Sequence, residues 1–185
     1  MAGDLYPSTL KVKVDHFCQA MGGKIGPKMF QEAAARRQRG LVTTYYVCCM
    51  PWSPNTFMWS AYDEAFWLGV YPGVCGLDGF LRWAYNSWGE NPLVDASFDS
   101  WSPGDCVLVY PDGCPSIRFI ELRNGIVAAE KLRLLKEMGR ISDEDQKTLE
   151  ALFDPQKALQ GKQEWKKIHD AISDFLFQHS KSWGK

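Results

Sequence analysis

A chain of 185 residues, 45% hydrophobic, is long and apolar enough for one folded domain with a sizeable core, which excludes a disordered protein. Its formal net charge of −1 argues against a nucleic-acid binder, which carries a basic excess. Aromatic residues reach 14%, with eight Trp and seven Tyr, an excess that points to a flat-faced ligand such as a carbohydrate.

Residues 10–18 alternate and predict a strand that ends near Asp15 to Cys18, with Asp15 and His16 at its carboxyl end. Gly22-Gly23 and Gly26-Pro27 make a loop. Residues 28–39, rich in Ala, Gln, Glu and Arg, predict a helix closed by Gly40. Residues 41–49 form a strongly β-prone second strand, ended by Met50-Pro51. After a turn at 53–56, Ser60 with Asp63 and Glu64 signals a helix start, and Pro72-Gly73 interrupts that helix near Tyr71. A third strand opens at Leu77. Strand, helix, strand, helix, strand at this spacing implies a parallel sheet with right-handed crossovers.

The third strand carries the most informative stretch. Strand geometry puts Gly79, Leu81, Trp83 and Tyr85 on one face and Phe80, Arg82, Ala84 and Asn86 on the other. It finishes Trp83-Ala84-Tyr85-Asn86-Ser87-Trp88, at the end of the strand where α/β folds keep their ligands. A pyranose has an apolar C–H face and a rim of hydroxyls, so rings beside an amide suit it. The competing reading makes Trp83 and Trp88 core residues.

Beyond Trp88 a long irregular stretch, with Asn91-Pro92, Ser102-Pro103-Gly104 and Asp112-Gly113, reads as an ordered active-site rim containing a short extra strand at 105–110. Residues 116–138 predict a helix whose apolar face uses Ile117, Ile120, Ile126, Leu132 and Leu135, with Gly125 as a weak point. The tail from 142 to 185 is charged and amphipathic, with helical signals at 146–153 and 164–177. None of the six cysteines sits in a C-x-x-C pair, so a zinc site is not expected; Cys106 and Cys114 flank a turn and could pair in an oxidising compartment. No apolar run approaches the roughly 18 residues of a membrane span. The opening residues lack the basic and apolar regions of a signal peptide, so a complete chain is expected in the cytoplasm.

Several motifs agree in order: Thr43-Thr44-Tyr45-Tyr46-Val47-Cys48-Cys49-Met50-Pro51, then Pro54-Asn55-Thr56-Phe57, then residues 77–88, then Gly104-Asp105, Leu108-Val109-Tyr110-Pro111 and Ser116-Ile117-Arg118. Together, over about 12–136, they resemble the carboxyl-terminal part of the catalytic domain of glycoside hydrolase family 123, whose known members are β-N-acetylgalactosaminidases. One departure stands after Gly125-Ile126, where Val127-Ala128-Ala129 replaces an acidic, aromatic stretch.

The resemblance implies a partial (β/α)8 TIM barrel, about its last three βα units, in residues 1–138, followed by a helical extension in 139–185. It implies substrate-assisted retaining hydrolysis without a cofactor: the acetamide of the sugar is the nucleophile, an Asp orients it and a neighbouring Glu protonates the leaving oxygen. No strand-end Asp-Glu pair is found. Asp63-Glu64 and Asp143-Glu144-Asp145 read as helix starts. The acid/base pair is therefore expected outside the chain, and the chain alone is expected to be inactive. It would supply sugar contacts from Trp83, Tyr85, Asn86 and Trp88, with Asp15, His16, Trp52 and Asn55 as further candidates, while Arg82 is expected to pair with Asp78 or a helix carboxylate. The implied partners are an N-acetylgalactosamine-containing glycan and either the missing barrel half or a self-associating sheet edge. A fragment of such an enzyme would be periplasmic or secreted. Two alternatives stand beside this: a non-catalytic sugar-binding or regulatory remnant, and a cysteine-dependent hydrolase using Cys48 or Cys49 with His16.

Overall fold

The computed structural model describes residues 1–22 and 24–180. Gly23 of the expected loop and residues 181–185 of the expected extension lie outside them. Four parallel strands form one sheet in the order β1 (Ala2–Gly3), β2 (His16–Ala20), β3 (Val42–Val47), β4 (Gly79–Arg82). The helices are α1 (Pro27–Arg37), α2 (Tyr62–Cys75), α3 (Ile117–Glu137), α4 (Asp143–Leu152), α5 (Pro155–Leu159) and α6 (Trp165–Ser180). Among the described residues no helix is long and apolar enough to cross a membrane.

Thr43, Tyr45 and Val47 of β3 turn toward α1 and α2 and are buried. In register beside them lie Phe17, Gln19, Phe80 and Arg82. The opposite face, with His16, Thr44, Tyr46 and Leu81, is only partly covered. Trp67 and Tyr71 of α2 stack 4.4 Å apart, and Leu149 of α4, Phe153 just after it, and Ile168 and Ile172 of α6 join them in the same core. The extension therefore continues the core of the sheet layer.

Three expectations are corrected by long-range partners. Residues 10–15 are not strand. The backbone of β3 offers a ladder only from Val42, whose N–H donates to Asp15 O at 2.9 Å, so β2 begins at His16. Helix α2 does not stop at Pro72. Proline removes the N–H that would reach Leu68 O, and the buried Tyr45 hydroxyl donates to that carbonyl instead, at 2.6 Å. Helix α3 buries Arg118, Leu122, Gly125, Ala128, Leu132 and Leu135, while Ile117 and Ile126 are exposed. Gly125 is a contact point: a Cβ there would lie 2.1 Å from Phe66 O, so α2 and α3 cross backbone to backbone.

Candidate functional site

At the carboxyl ends of the strands, β4 pairs with β3 only as far as Arg82 opposite Val47, and the chain then departs. Residues 85–88 run instead against 106–109: Leu108 N donates to Tyr85 O at 2.7 Å and Ser87 N to Cys106 O at 3.0 Å. The expected strand at 105–110 is thus reduced to isolated bridges, Asn86 with Val107 and Val109 with Pro115. Cys106, Val107 and Leu108 are buried, which anchors the long stretch as an ordered rim.

Arg82 is the hub. Its side chain is 4% exposed and forms an ion pair with Asp105, which is fully buried. Arg82 Nε also donates to the Asp105 carbonyl at 3.0 Å, and Nη1 to Asn55 Oδ1 at 3.0 Å. One guanidinium thereby joins β4, the loop after β3 and the loop after β4, as a planar five-donor fork can. The expected partner Asp78 lies at the other end of β4, bonded to Arg37 Nε and Thr43 N, both at 2.7 Å. Burial pushes the Asp105 carboxyl up, against the pull of Arg82, and lowers the pKa of the guanidinium. With the two in contact, the ionised pair is the favoured form. Asp105 Oδ2 is buried without a partner among the described residues.

Aromatic rings stand around this hub. Trp83, Tyr85 and Trp88 are 42%, 50% and 38% exposed, so the core reading of Trp83 and Trp88 does not hold. Trp83 Nε1 points at Asp105 Oδ1 (3.4 Å), and its ring meets Trp101 edge-on with centroids 5.4 Å apart. Trp88 Nε1 donates to Val109 O at 2.8 Å. Asn86 is exposed, and its side-chain amide has no hydrogen bond to a described residue. Trp52, also exposed, lies 5.9 Å from Phe57 and 5.8 Å from Trp59. Met58 N bonds Pro103 O at 2.9 Å, which locks this second group to the rim. Gly104, at φ +87°, fits between Thr56 O and Arg118, where a Cβ would clash with both.

Three expected site residues fall away. Asp15 precedes β2 and His16 opens it, at the opposite end of the sheet. His16 is in register with Val42, six residues and about 20 Å from Cys48, which also separates the proposed thiol from its base. Asn55 is fully buried and saturated: Nδ2 donates to Cys48 O (2.9 Å) and Pro51 O (2.6 Å), and Oδ1 accepts from Thr56 N and Arg82. It holds the loop and has nothing left for a ligand. Trp59, Trp101 and Asp105 join this cluster without a local signal in the sequence, apart from the Gly104-Asp105 motif for Asp105.

The acidic pairs are occupied. The Glu64 carboxylate accepts from Asn55 N (2.9 Å), Ser53 Oγ (3.0 Å) and Ala61 N (3.1 Å), and burial raises its pKa. Asp63 turns the other way, to His169 Nδ1 at 2.6 Å. Asp145 caps α4 through Ser142. Cys106 and Cys114 are free thiols. Among the described residues no three His, Cys, Asp or Glu side chains converge as a metal site requires. Cavities of about 500, 560 and 420 Å³ lie between α3 and α6 and toward the amino ends of the strands, away from the rings.

A parallel α/β layer of this kind is the organisation of a βα-repeat protein, a class whose ligand sites lie at the carboxyl ends of the strands. The model of the family described as Glycoside hydrolase 123, catalytic domain, matches residues 4–135. The chain belongs to glycoside hydrolase family 123. Among solved structures it is similar to a family 123 glycoside hydrolase from Clostridium perfringens, at 23% identity and a TM-score of 0.75, a likeness of fold. The match covers 96% of this chain and 35% of that one, so the chain spans about a third of the length of that protein. A search of curated proteins found no match.

Proposed function

We propose that the chain is the carboxyl-terminal part of a glycoside hydrolase (β/α)8 barrel, about three βα units in residues 1–138 with a helical extension in 139–185. Its ring-bearing end supplies one wall of a site for β-linked N-acetylgalactosamine. The observation that carries this reading is the exposure of Trp83, Tyr85, Trp88 and Trp52 on the segments that follow the strands, with Trp83 held against the buried Arg82–Asp105 pair. The half-open face of the sheet, with helices on the other, supports the barrel, because a barrel strand packs its second face against strands across the interior.

In this reading a Trp ring takes the C–H face of the sugar, and the free Asn86 amide takes a hydroxyl or the acetamide. The acetamido oxygen of the substrate forms the bond to the anomeric carbon as the glycosidic bond breaks. The leaving oxygen takes a proton from an acid, and water then opens the cyclic intermediate with retention of configuration. The acid, and the carboxylate that orients the acetamide, come from polypeptide beyond this chain, since Asp63 and Glu64 are engaged elsewhere. The C. perfringens enzyme is described for glycolipid glycan hydrolysis, which makes such glycans the first substrates to try with a completed barrel.

The test is titration of the full chain with N-acetylgalactosamine alongside an aryl β-N-acetylgalactosaminide assay. Binding without turnover is expected, weakened about tenfold (~1.4 kcal/mol) or more by Trp83→Ala or Asn86→Ala. Hydrolysis that survives both substitutions would overturn the reading. The engagement of Asp63 and Glu64 elsewhere also favours a second reading, a sugar-binding remnant; turnover on adding the earlier barrel units would exclude it.

A further inference from the structure

The Arg82–Asp105 pair sits against Trp83 and is all but closed to solvent, at 4% and 0% side-chain exposure. Asp105 is fully buried and its Oδ2 is sealed off, so this carboxylate cannot reach a sugar itself. What it does reach is the indole: Oδ1 takes Arg82 on one side and faces Trp83 Nε1, 3.4 Å away, on the other. Arg82 is clamped in turn by the Asp105 carbonyl and by Asn55, whose amide is fixed by Cys48 O and Pro51 O. The chain of contacts runs from the loop after β3, through a rigid cation and anion, to one N–H of an exposed ring. Trp101 restrains that ring from its edge. An indole with 42% of its surface in solvent would otherwise be free to reorient about two side-chain torsions.

We infer that Asp105, held by Arg82, is a positioning residue that fixes the plane of the Trp83 indole for stacking on the sugar. The inference rests on the proposed sugar site and adds to it the source of the order in its platform. A ring already fixed loses less conformational freedom when the ligand arrives, so the pair contributes to affinity through Trp83 alone.

The experiment is a double-mutant cycle on the full chain, with N-acetylgalactosamine as the probe, read by tryptophan fluorescence with circular dichroism as the control for folding. Asp105→Asn is expected to weaken binding about tenfold, and the same substitution in a Trp83→Phe background is expected to add nothing. Additive losses, or wild-type affinity in Asp105→Asn, would overturn the inference. Arg82→Lys, which keeps the charge and loses the fork, replaces Asp105→Asn if that variant does not fold. A measurement without sugar or substitution separates the two proposals. The Trp83 indole N–H is expected to exchange with solvent at least tenfold more slowly than that of the exposed Trp52. Equal exchange would overturn the positioning role whatever the sugar result. Slow exchange in a chain that binds no sugar, or that binds it unchanged after Trp83→Ala, would instead overturn the sugar site.

Discussion

At the amino ends of the strands, Arg36 from α1 donates to Thr43 Oγ1 (2.9 Å) and to the carbonyls of Val14, Val42 and Asp15 at 2.9, 3.0 and 3.3 Å. At the carboxyl ends, Arg82 also ties three segments together, but its carboxylate partner keeps one oxygen unpartnered among the described residues, and the half-exposed Trp83 indole faces it. The first arginine closes an end with backbone and hydroxyl oxygens and leaves no aromatic shelf. The second builds a stiff floor under a shelf that is open. Both are buried guanidiniums, so burial alone does not mark a functional site; what distinguishes them is what the network holds up. In βα-repeat proteins the amino end serves stability and the carboxyl end chemistry, and the proposed site follows that division.

The sharpest way to break that division is Arg36→Met. Each abandoned buried acceptor costs about 1–3 kcal/mol, so the variant is expected to lose about 3–5 kcal/mol in urea denaturation while sugar affinity per folded molecule stays unchanged. A drop in affinity without a drop in stability would erase the distinction between the ends. A smaller effect is expected midway, from Tyr45→Phe. The Leu68 carbonyl, deprived of an intrahelical donor by Pro72, would then have no partner at all, at about 1–3 kcal/mol. Calorimetry showing no change in Tm would mean that α2 meets the missing bond some other way.

That tyrosine also shows why parts of the fold were legible in the sequence and parts were not. The helices α1 and α3 and the strand β3 follow from local periodicity, and the structure places them within two residues of expectation. The continuation of α2 past Pro72 depends on a hydroxyl 23 residues before Leu68 in sequence. The start of β2 depends on where β3 begins, so a good alternating pattern at 10–14 went unpaired. The site divides in the same way. Trp83, Tyr85, Asn86 and Trp88, the proposed sugar contacts, could be proposed from sequence because they are adjacent at a strand end. Asn55 looked like a free amide until the loop folded around it, and nothing local distinguishes Asp105 from Asp78 as the partner of Arg82. A carboxylate three or four residues away is the natural guess; the real one lies 23 residues on, across the rim.

The gentlest probe of the open end is thiol chemistry, because it reads whether the floor is closed without altering it. Cys114 is exposed on the turn of the rim, while Cys106, next to Asp105, is buried and its thiol is pushed up to about 11 by burial. Burial pushes Cys75, at the end of α2, up to about 12. Since the thiolate is the reactive form, a disulfide reagent at pH 8 is expected to take Cys114 first and to reach Cys106 and Cys75 only on unfolding. Modification at Cys114 alone is expected to leave Tm and sugar affinity where they were. If Cys106 instead reacts as fast as Cys114 in the folded chain, the rim from 83 to 116 opens readily. A rim that opens would expose Asp105 as well, and the contrast between a closed floor and an open shelf would have to be given up.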